Sequence, residues 1–291
     1  MSNDNKDQND LETSPTASGL SAYKERVLAL GNDSLEKTIA VALALCLVCA
    51  VFVSFSAVGL KPLQIYNKAL DMKKNILDVA GLLDPDTDID QAFETQIEAK
   101  IVDLKTGEYD DSINVISFDQ RKAAKDPQQN EVIPRKSDIA SIKVKSKKAK
   151  VYLVKKGGQI SSIILPVHGY GLWSTMYGFL ALDADGQTVQ SINFYDQAET
   201  PGLGGEVVNP TWRALWKGKK VYSADSVPVL RLVKGVVDAS RAGAEHQVDG
   251  LAGATLTSNG VSNLIRYWMG DEGFAPYLNK VRTTKGKEEG V

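Results

Sequence analysis

Cysteine is almost missing from this chain. Its 291 residues hold two, Cys46 and Cys49, both inside one apolar stretch. No disulfide framework can be built from that pair, and thiol chemistry is excluded everywhere else. The Cys-x-x-Cys spacing has no His or acidic neighbour, so it reads as packing rather than as a metal or redox pair. Histidine is as scarce, with only His168 and His246. A zinc site would need carboxylates to complete it, no nucleophile setting for a catalytic triad surrounds either residue, and no metal is expected. The formal net charge is only -2, and no Lys/Arg cluster carries interleaved aromatics, so nucleic acid is not an expected partner. The one basic run, Lys143 to Lys150, reads as a solvated loop or strand edge. There is no phosphate-binding Walker sequence and no internal repeat. Gly169-Tyr-Gly171 and Gly202-Leu-Gly-Gly205 both fall short of the dinucleotide fingerprint.

Long hydrophobic runs are also few; there is one. Ile39 to Leu60 contains no charged residue, and at 1.5 Å rise per residue it can cross a hydrocarbon core roughly 30 Å thick. It is longer than a signal-peptide core and lies well inside the chain, so it reads as a membrane anchor over 38–60. Lys24, Arg26 and Lys37 precede it while Lys61, Lys68, Lys73 and Lys74 follow, which leaves orientation undecided by flanking charge. Residues 1–37 form a tail, polar and disordered at first, with a short helix over 20–30. Residues 61–147 read as helical and loop-rich. A helix is expected over 63–83, a break at Asp84-Pro85-Asp86, a second helix over 89–99, and a connector with local helix over 110–138. Residues 148–282 change character. Short β-branched runs at 151–154, 160–167, 178–182 and 189–194, parted by Gly157-Gly158 and Asp183-Ala-Asp-Gly186, predict an antiparallel sheet. A short helix over 210–216, a strand over 227–233 and a packed helix over 258–269 complete an α+β domain, and 283–291 reads as a flexible tail.

The segment Asp249-Gly250-Leu251-Ala252-Gly253-Ala254-Thr255-Leu256-Thr257-Ser258 is the most informative. Val261, Leu264, Ile265 and Trp268 follow it at helical spacing, and Thr257, Ser258 and Asn259 all suit an N-cap. Thr255 is thereby placed just outside a helix start, where free N–H groups and the dipole favour a phosphate. Gly250 and Gly253 permit close backbone approach or positive φ. The physics reads as a phosphate seat with a hydroxyl beside it.

Asp249 to Thr255 resembles the flavin-transferase acceptor motif Asp-x-x-(Ser/Thr)-Gly-Ala-Thr, with Ala252 departing from its usual hydroxyl residue. With Pro166-Val-His-Gly-Tyr-Gly-Leu-Trp173, Glu199-Thr-Pro-Gly-Leu-Gly-Gly-Glu206 and the single anchor, the chain resembles, over about 35–282, the C-subunit family of the Na+-translocating NADH:quinone oxidoreductase. The resemblance implies one FMN joined to Thr255 by a phosphodiester, installed by a flavin transferase. It implies a soluble FMN-binding domain with a mostly antiparallel sheet and packed helices behind one transmembrane helix. It also implies a periplasmic domain on a bacterial inner membrane, in a complex of six subunits that oxidises NADH, reduces ubiquinone and pumps Na+. This chain would carry electrons and bind neither NADH nor quinone itself.

On that resemblance Gly169, Gly171, Thr200, Leu203, Gly204 and Gly205 become pocket walls, beside Gly253, Ala254, Leu256 and Thr257. Taken singly, the glycine segments read as turns. Trp173 suits a ring face or a core equally. Glu199 and Glu206 read as surface or loop-stabilising groups rather than as a catalytic pair. Lys234 is either a counter-charge to phosphate or reduced flavin, or a solvated lysine. Asp249 serves transferase recognition, a loop-shaping turn, or both. Two rivals stand beside this reading: the G-subunit of the related ferredoxin:NAD+ oxidoreductase, and a non-redox anchored binding or scaffold module with Thr255 free.

Overall fold

The computed structural model describes residues 19–31 and 33–288. The tail expected to be disordered, residues 1–18, lies outside the described residues, as do 289–291. The chain divides into two compact units, Met1–Asn67 and Lys68–Val291.

The first unit holds α1 (Gly19–Ala29) and the greater part of α2 (Leu35–Val79), whose last turns, from Lys68, belong to the second. Ser34 Oγ accepts from Lys37 N at the start of α2, and Arg26 pairs with Glu36 at 3.1 Å. The charge-free stretch lies within α2 with Leu43, Phe52 and Phe55 exposed. Among the described residues α2 alone is long and apolar enough to cross a membrane. Pro62 sits inside it, where the ring removes one backbone donor from the helical ladder. The helix expected over 63–83 is the continuation of α2 and stops at Val79.

The second unit is built on a sheet. Asp88 caps α3 (Ile89–Gln96) by accepting from Gln91 N. The helix expected to reach Ala99 stops at Gln96, and Ile97 opens β1 (Ile97–Asp103) instead. Pairing decides this: β1 lies antiparallel to a later strand, with Ile97, Ile101 and Val102 buried, and that outweighs the helical preference of Glu98-Ala99-Lys100. After α4 (Gln120–Ala123) come the paired short strands β2 (Asn130–Val132) and β3 (Val144–Ser146). Lys145 corrects the reading of its run as solvated. Its side chain is buried, with Nζ 2.9 Å from Glu272 and 3.8 Å from Glu131, the pairing a buried ammonium needs.

Next come β4 (Lys148–Lys156), β5 (Gln159–Tyr170), β6 (Thr175–Asp183) and β7 (Val189–Asp196) as an antiparallel meander. The sheet order is β1-β4-β5-β6-β7, so the segment read as helical and loop-rich supplies an edge strand. Ile163-Ile164-Leu165 lacks polar alternation because both faces are covered. Ile163 and Leu165 join one core, while Ile164 joins another with Ile76, Leu77 and Phe179.

Beyond the sheet lie a 3₁₀ turn (Gly204–Val208), α5 (Pro210–Ala214), β8 (Arg231–Val233), β9 (Gln247–Asp249), α6 (Thr255–Trp268) and α7 (Ala275–Glu288). Asn209 caps α5 with Pro210 in its first turn. The strand expected over 227–233 is regular only in β8, which pairs with β9 in parallel. α6 buries Val261, Leu264, Ile265 and Trp268 in the larger core, each worth about 1.5–3 kcal/mol of transfer free energy. α7 carries helix to Glu288, into the segment read as a flexible tail.

Candidate functional site

Three separated loops meet where α6 begins. The first leaves β5 at Tyr170 and turns through Gly171 to Ser174, closed by Gly171 N donating to Ser174 O at 2.9 Å. The second follows β7 and carries Glu199 to Glu206. The third is Asp249 to Ala254.

One carboxylate ties the first two to the first turn of α6. Glu199 is only 4% exposed. Its Oε1 accepts from Leu172 N at 3.1 Å, Trp173 N at 3.0 Å and Ser174 N at 3.3 Å. Its Oε2 accepts from Thr257 Oγ1 at 2.7 Å. Burial pushes this carboxyl up, but the bonds from Thr257 and the three amides outweigh it and hold the group below the ordinary glutamate value. Glu199 is therefore a buried structural anion: of the surface and loop-stabilising roles its sequence setting offers, it takes the second. Glu206 differs: it accepts from Asn209 Nδ2 at 2.7 Å beside α5.

Packing around this carboxylate explains the glycines. A Cβ on Gly204 would fall 2.5 Å from Thr257 Oγ1 and 2.9 Å from Glu199 Oε2, and one on Gly171 would fall 2.5 Å from Glu199 Oε1. Gly253 has φ +71°, and a Cβ there would meet Leu203 Cδ2 at 2.9 Å, which brings the second and third loops into contact. Gly169 is buried against Leu264, and Gly205 donates to Thr200 O at 2.9 Å. Thr200 also accepts from Leu203 N, so the turn at Pro201 is closed by backbone bonds.

The start of α6 differs from its sequence reading in two respects. Thr255 is the first helical residue, with Ala254 in the cap position, so the hydroxyl stands on the helix and not before it. Thr257, Ser258 and Asn259 do not cap it. Thr257 is buried on Glu199, and Ser258 Oγ accepts from Leu251 N at 3.0 Å, holding the loop from behind. Among the described residues no side chain caps α6, and Ser258 N to Ala254 O is the bond that closes its first turn. The helix start is thus left polar and open beside an exposed Thr255 hydroxyl, the arrangement an anion requires.

The loops and helix turn joined here carry exposed apolar side chains: Trp173 at 65%, Leu256 at 59%, Leu203 at 42% and Leu172 at 37%. Trp173 fills no core. Leu172 was not singled out in the sequence, although it lies inside the first motif. Asp249 acts at longer range than a local turn. Its Oδ1 accepts from Val237 N at 2.8 Å and its carbonyl from Trp212 Nε1 at 3.0 Å. Lys234 is exposed, just past β8, and lines a groove along α6 rather than joining the Glu199 cluster. The histidines stand apart. His168 stacks between Tyr177 and Trp268, and His246 Nδ1 lies 2.8 Å from Lys220 O.

An uncapped helix start, a hydroxyl on its first residue and an apolar rim fit a flavin mononucleotide: a seat for its phosphate and apolar side chains for its ring. Similarity to known proteins agrees. Residues 171–270 match the FMN-binding domain family. The chain is 49% identical over 254 residues to the C-subunit of the Na(+)-translocating NADH-quinone reductase of Pseudomonas aeruginosa, covering 86% of this chain and 97% of that protein. It is 49% identical over 251 residues to the corresponding protein of Vibrio vulnificus, with the same coverage. The crystal structure of Shewanella oneidensis NqrC superposes with TM-score 0.68 at 34% identity, covering 73% of this chain and 97% of that one. The C-subunit from Parabacteroides distasonis gives TM-score 0.59 at 26% identity, covering 75% and 96%. The chain therefore belongs to the C-subunit family of the Na(+)-translocating NADH-quinone reductase: a membrane-anchored, FMN-binding electron carrier that works with the other subunits of that oxidoreductase.

Proposed function

We propose that FMN is held covalently, its phosphate esterified to Thr255 Oγ1, and that this chain passes single electrons within a complex of six subunits. That complex oxidises NADH, reduces ubiquinone and moves Na+. The observation that carries the reading is the Thr255 hydroxyl, on the exposed first residue of a helix that no side chain caps among the described residues.

FMN supplies the one-electron chemistry; the chain's residues hold and surround it. The first-turn amides of α6 offset the phosphate charge. Gly253 lets the backbone turn under Thr255, with Asp249 and Ser258 fixing the loop on either side. Trp173, Leu172, Leu203 and Leu256 offer apolar surface to a flat ring and keep water from it. Glu199 holds the loops that carry Trp173 and Leu203 in register with Thr257 on α6. A covalent link suits a carrier outside the cytoplasm, where a dissociated cofactor is lost. The large domain is periplasmic on a bacterial inner membrane, and a flavin transferase installs the FMN.

Co-expression with a flavin transferase followed by intact mass tests this. The expected gain is one FMN less one water. An unmodified mass with full-length folded protein would instead support the scaffold reading, with Thr255 free.

A further inference from the structure

A second feature of α6 is not used by the flavin site. Along one side of the helix, Asn259, Ser262, Asn263 and Arg266 face β8 and the residue after it, and a groove of about 580 Å³ opens between them. Arg231 and Lys234 stand on the opposite wall, and Leu232 and Val233 form its floor side. Arg231, Lys234, Asn259 and Arg266 are all exposed.

The chemistry of this groove is one-sided. Three cations line it with two amide side chains, and no carboxylate does. Among the described residues, none of Arg231, Lys234 and Arg266 makes an ion pair. Arg121, Arg213 and Arg241 in the same unit each hold an aspartate. Asn259 and Asn263 likewise spend no side-chain hydrogen bond within the described chain. A chain with net charge -2 has carboxylates to spare, yet none has been placed here. Concentrated, unpaired donors in a concave surface favour an anionic occupant and speed its arrival.

We propose that this groove is the docking site for an acidic segment of a neighbouring subunit of the same oxidoreductase. The proposal rests on membership of the complex and on the unpaired charge, and does not depend on the covalent link at Thr255. Carboxylates of the partner would take the forks of Arg231 and Arg266 and the ammonium of Lys234, while Asn259 and Asn263 bond its backbone. The geometry gives the contact a purpose. Asn259 stands one helical turn beyond Thr255, so a subunit seated in the groove lies beside the start of α6, where an electron donor or acceptor must approach.

The test uses the assembled complex, purified from membranes, with wild-type chain or with Arg231→Gln, Lys234→Gln and Arg266→Gln combined. The immobilised complex is washed with rising KCl, and retention of this subunit, NADH-to-quinone rate and in-gel flavin fluorescence are read on the same samples. The combined variant is expected to hold about tenfold more weakly and to leave at lower salt, with its flavin fluorescence unchanged. Arg231→Lys with Arg266→Lys keeps the charge but not the forks, and should restore part of the retention. Retention equal to wild type at every salt concentration would overturn the proposal. So would loss of flavin with retention intact, which would assign the groove to the cofactor. Loss as large in the lysine variant would show that charge is not what the groove supplies. Finally, the full chain alone could bind vesicles containing phosphatidylglycerol through these three residues while retention in the complex is unaffected. The occupant would then be a lipid headgroup, and the proposal would fail.

Discussion

Thr257 donates its hydroxyl hydrogen to Glu199 Oε2 across 2.7 Å, and this bond ties the first turn of α6 to the loop after β7. Because the same carboxylate accepts the amides of Leu172, Trp173 and Ser174, one buried anion joins two loops and a helix start that are distant in sequence. Those bonds hold the backbone of Leu172 and Trp173 against the first turn of α6.

Glu199→Ala should therefore cost more than an average substitution. It strands three backbone N–H groups and one hydroxyl, and a loss of about 3 kcal/mol is expected. Denaturant unfolding of the full chain in detergent measures it. A loss below about 1 kcal/mol would show that water replaces the carboxylate freely.

The pH dependence follows with a definite sign. Glu199 has its folded value depressed, so its contribution is complete above the ordinary glutamate value and is lost as pH falls through the folded one. Glu199→Gln should flatten the acid limb of the stability curve. His168 acts at higher pH. Burial, then the charge of Arg121, lowers it to about 4. The folded state thus prefers neutral imidazole, and stability present above the unfolded histidine value drains away as pH falls toward 4. His168→Phe should remove the slope between those two values. An unchanged slope in thermal melts across that window would contradict the burial argument.

Gly204→Val and Gly253→Val should both slow flavin incorporation without touching the acceptor hydroxyl, for different reasons. At Gly204 the added carbons collide with the Glu199–Thr257 pair; at Gly253 they meet Leu203 on a backbone of φ +71°. Time courses of FMN incorporation and flavin spectra check this. Normal rates and spectra in both variants would remove these loops from the site.

Much of this was legible in the sequence, and the exceptions have physical causes. The meander β4–β7 followed from β-branched runs parted by glycine and aspartate turns. Sequence also selects α6 by its apolar spacing, but not the arrangement of its first turn. Thr257, Ser258 and Asn259 have cap chemistry, but the bond from Thr257 to Glu199 spans 58 residues, and local rules cannot see such a partner. For Glu199 a loop-stabilising role is legible, but its burial is not, because its partners at 172–174 and 257 are remote in sequence. β1 was hidden because its Glu98-Ala99-Lys100 centre is helical in preference and becomes strand only by pairing with β4. Lys145 was hidden because its partners, Glu131 and Glu272, are remote in sequence.

A fragment beginning at Leu63 should stay in solution. Ile76, Leu77 and Val79 keep their packing within the second unit, and the charge-free run ends at Leu60. Fractionation after salt and alkaline washing reads the outcome. Persistent membrane association of the fragment would point to a second membrane contact.

The most direct test of the central claim is in-gel flavin fluorescence of denatured protein with peptide mass mapping, after co-expression with a flavin transferase. Thr255→Val keeps the shape of the side chain and removes its oxygen, so a folded, non-fluorescent chain is expected. Thr257→Val should lose about 2 kcal/mol of stability, because it takes a hydrogen bond from a buried carboxylate, and should still carry FMN on Thr255. A fluorescent Thr255→Val band, or an FMN adduct mapped to Thr257, would contradict the account.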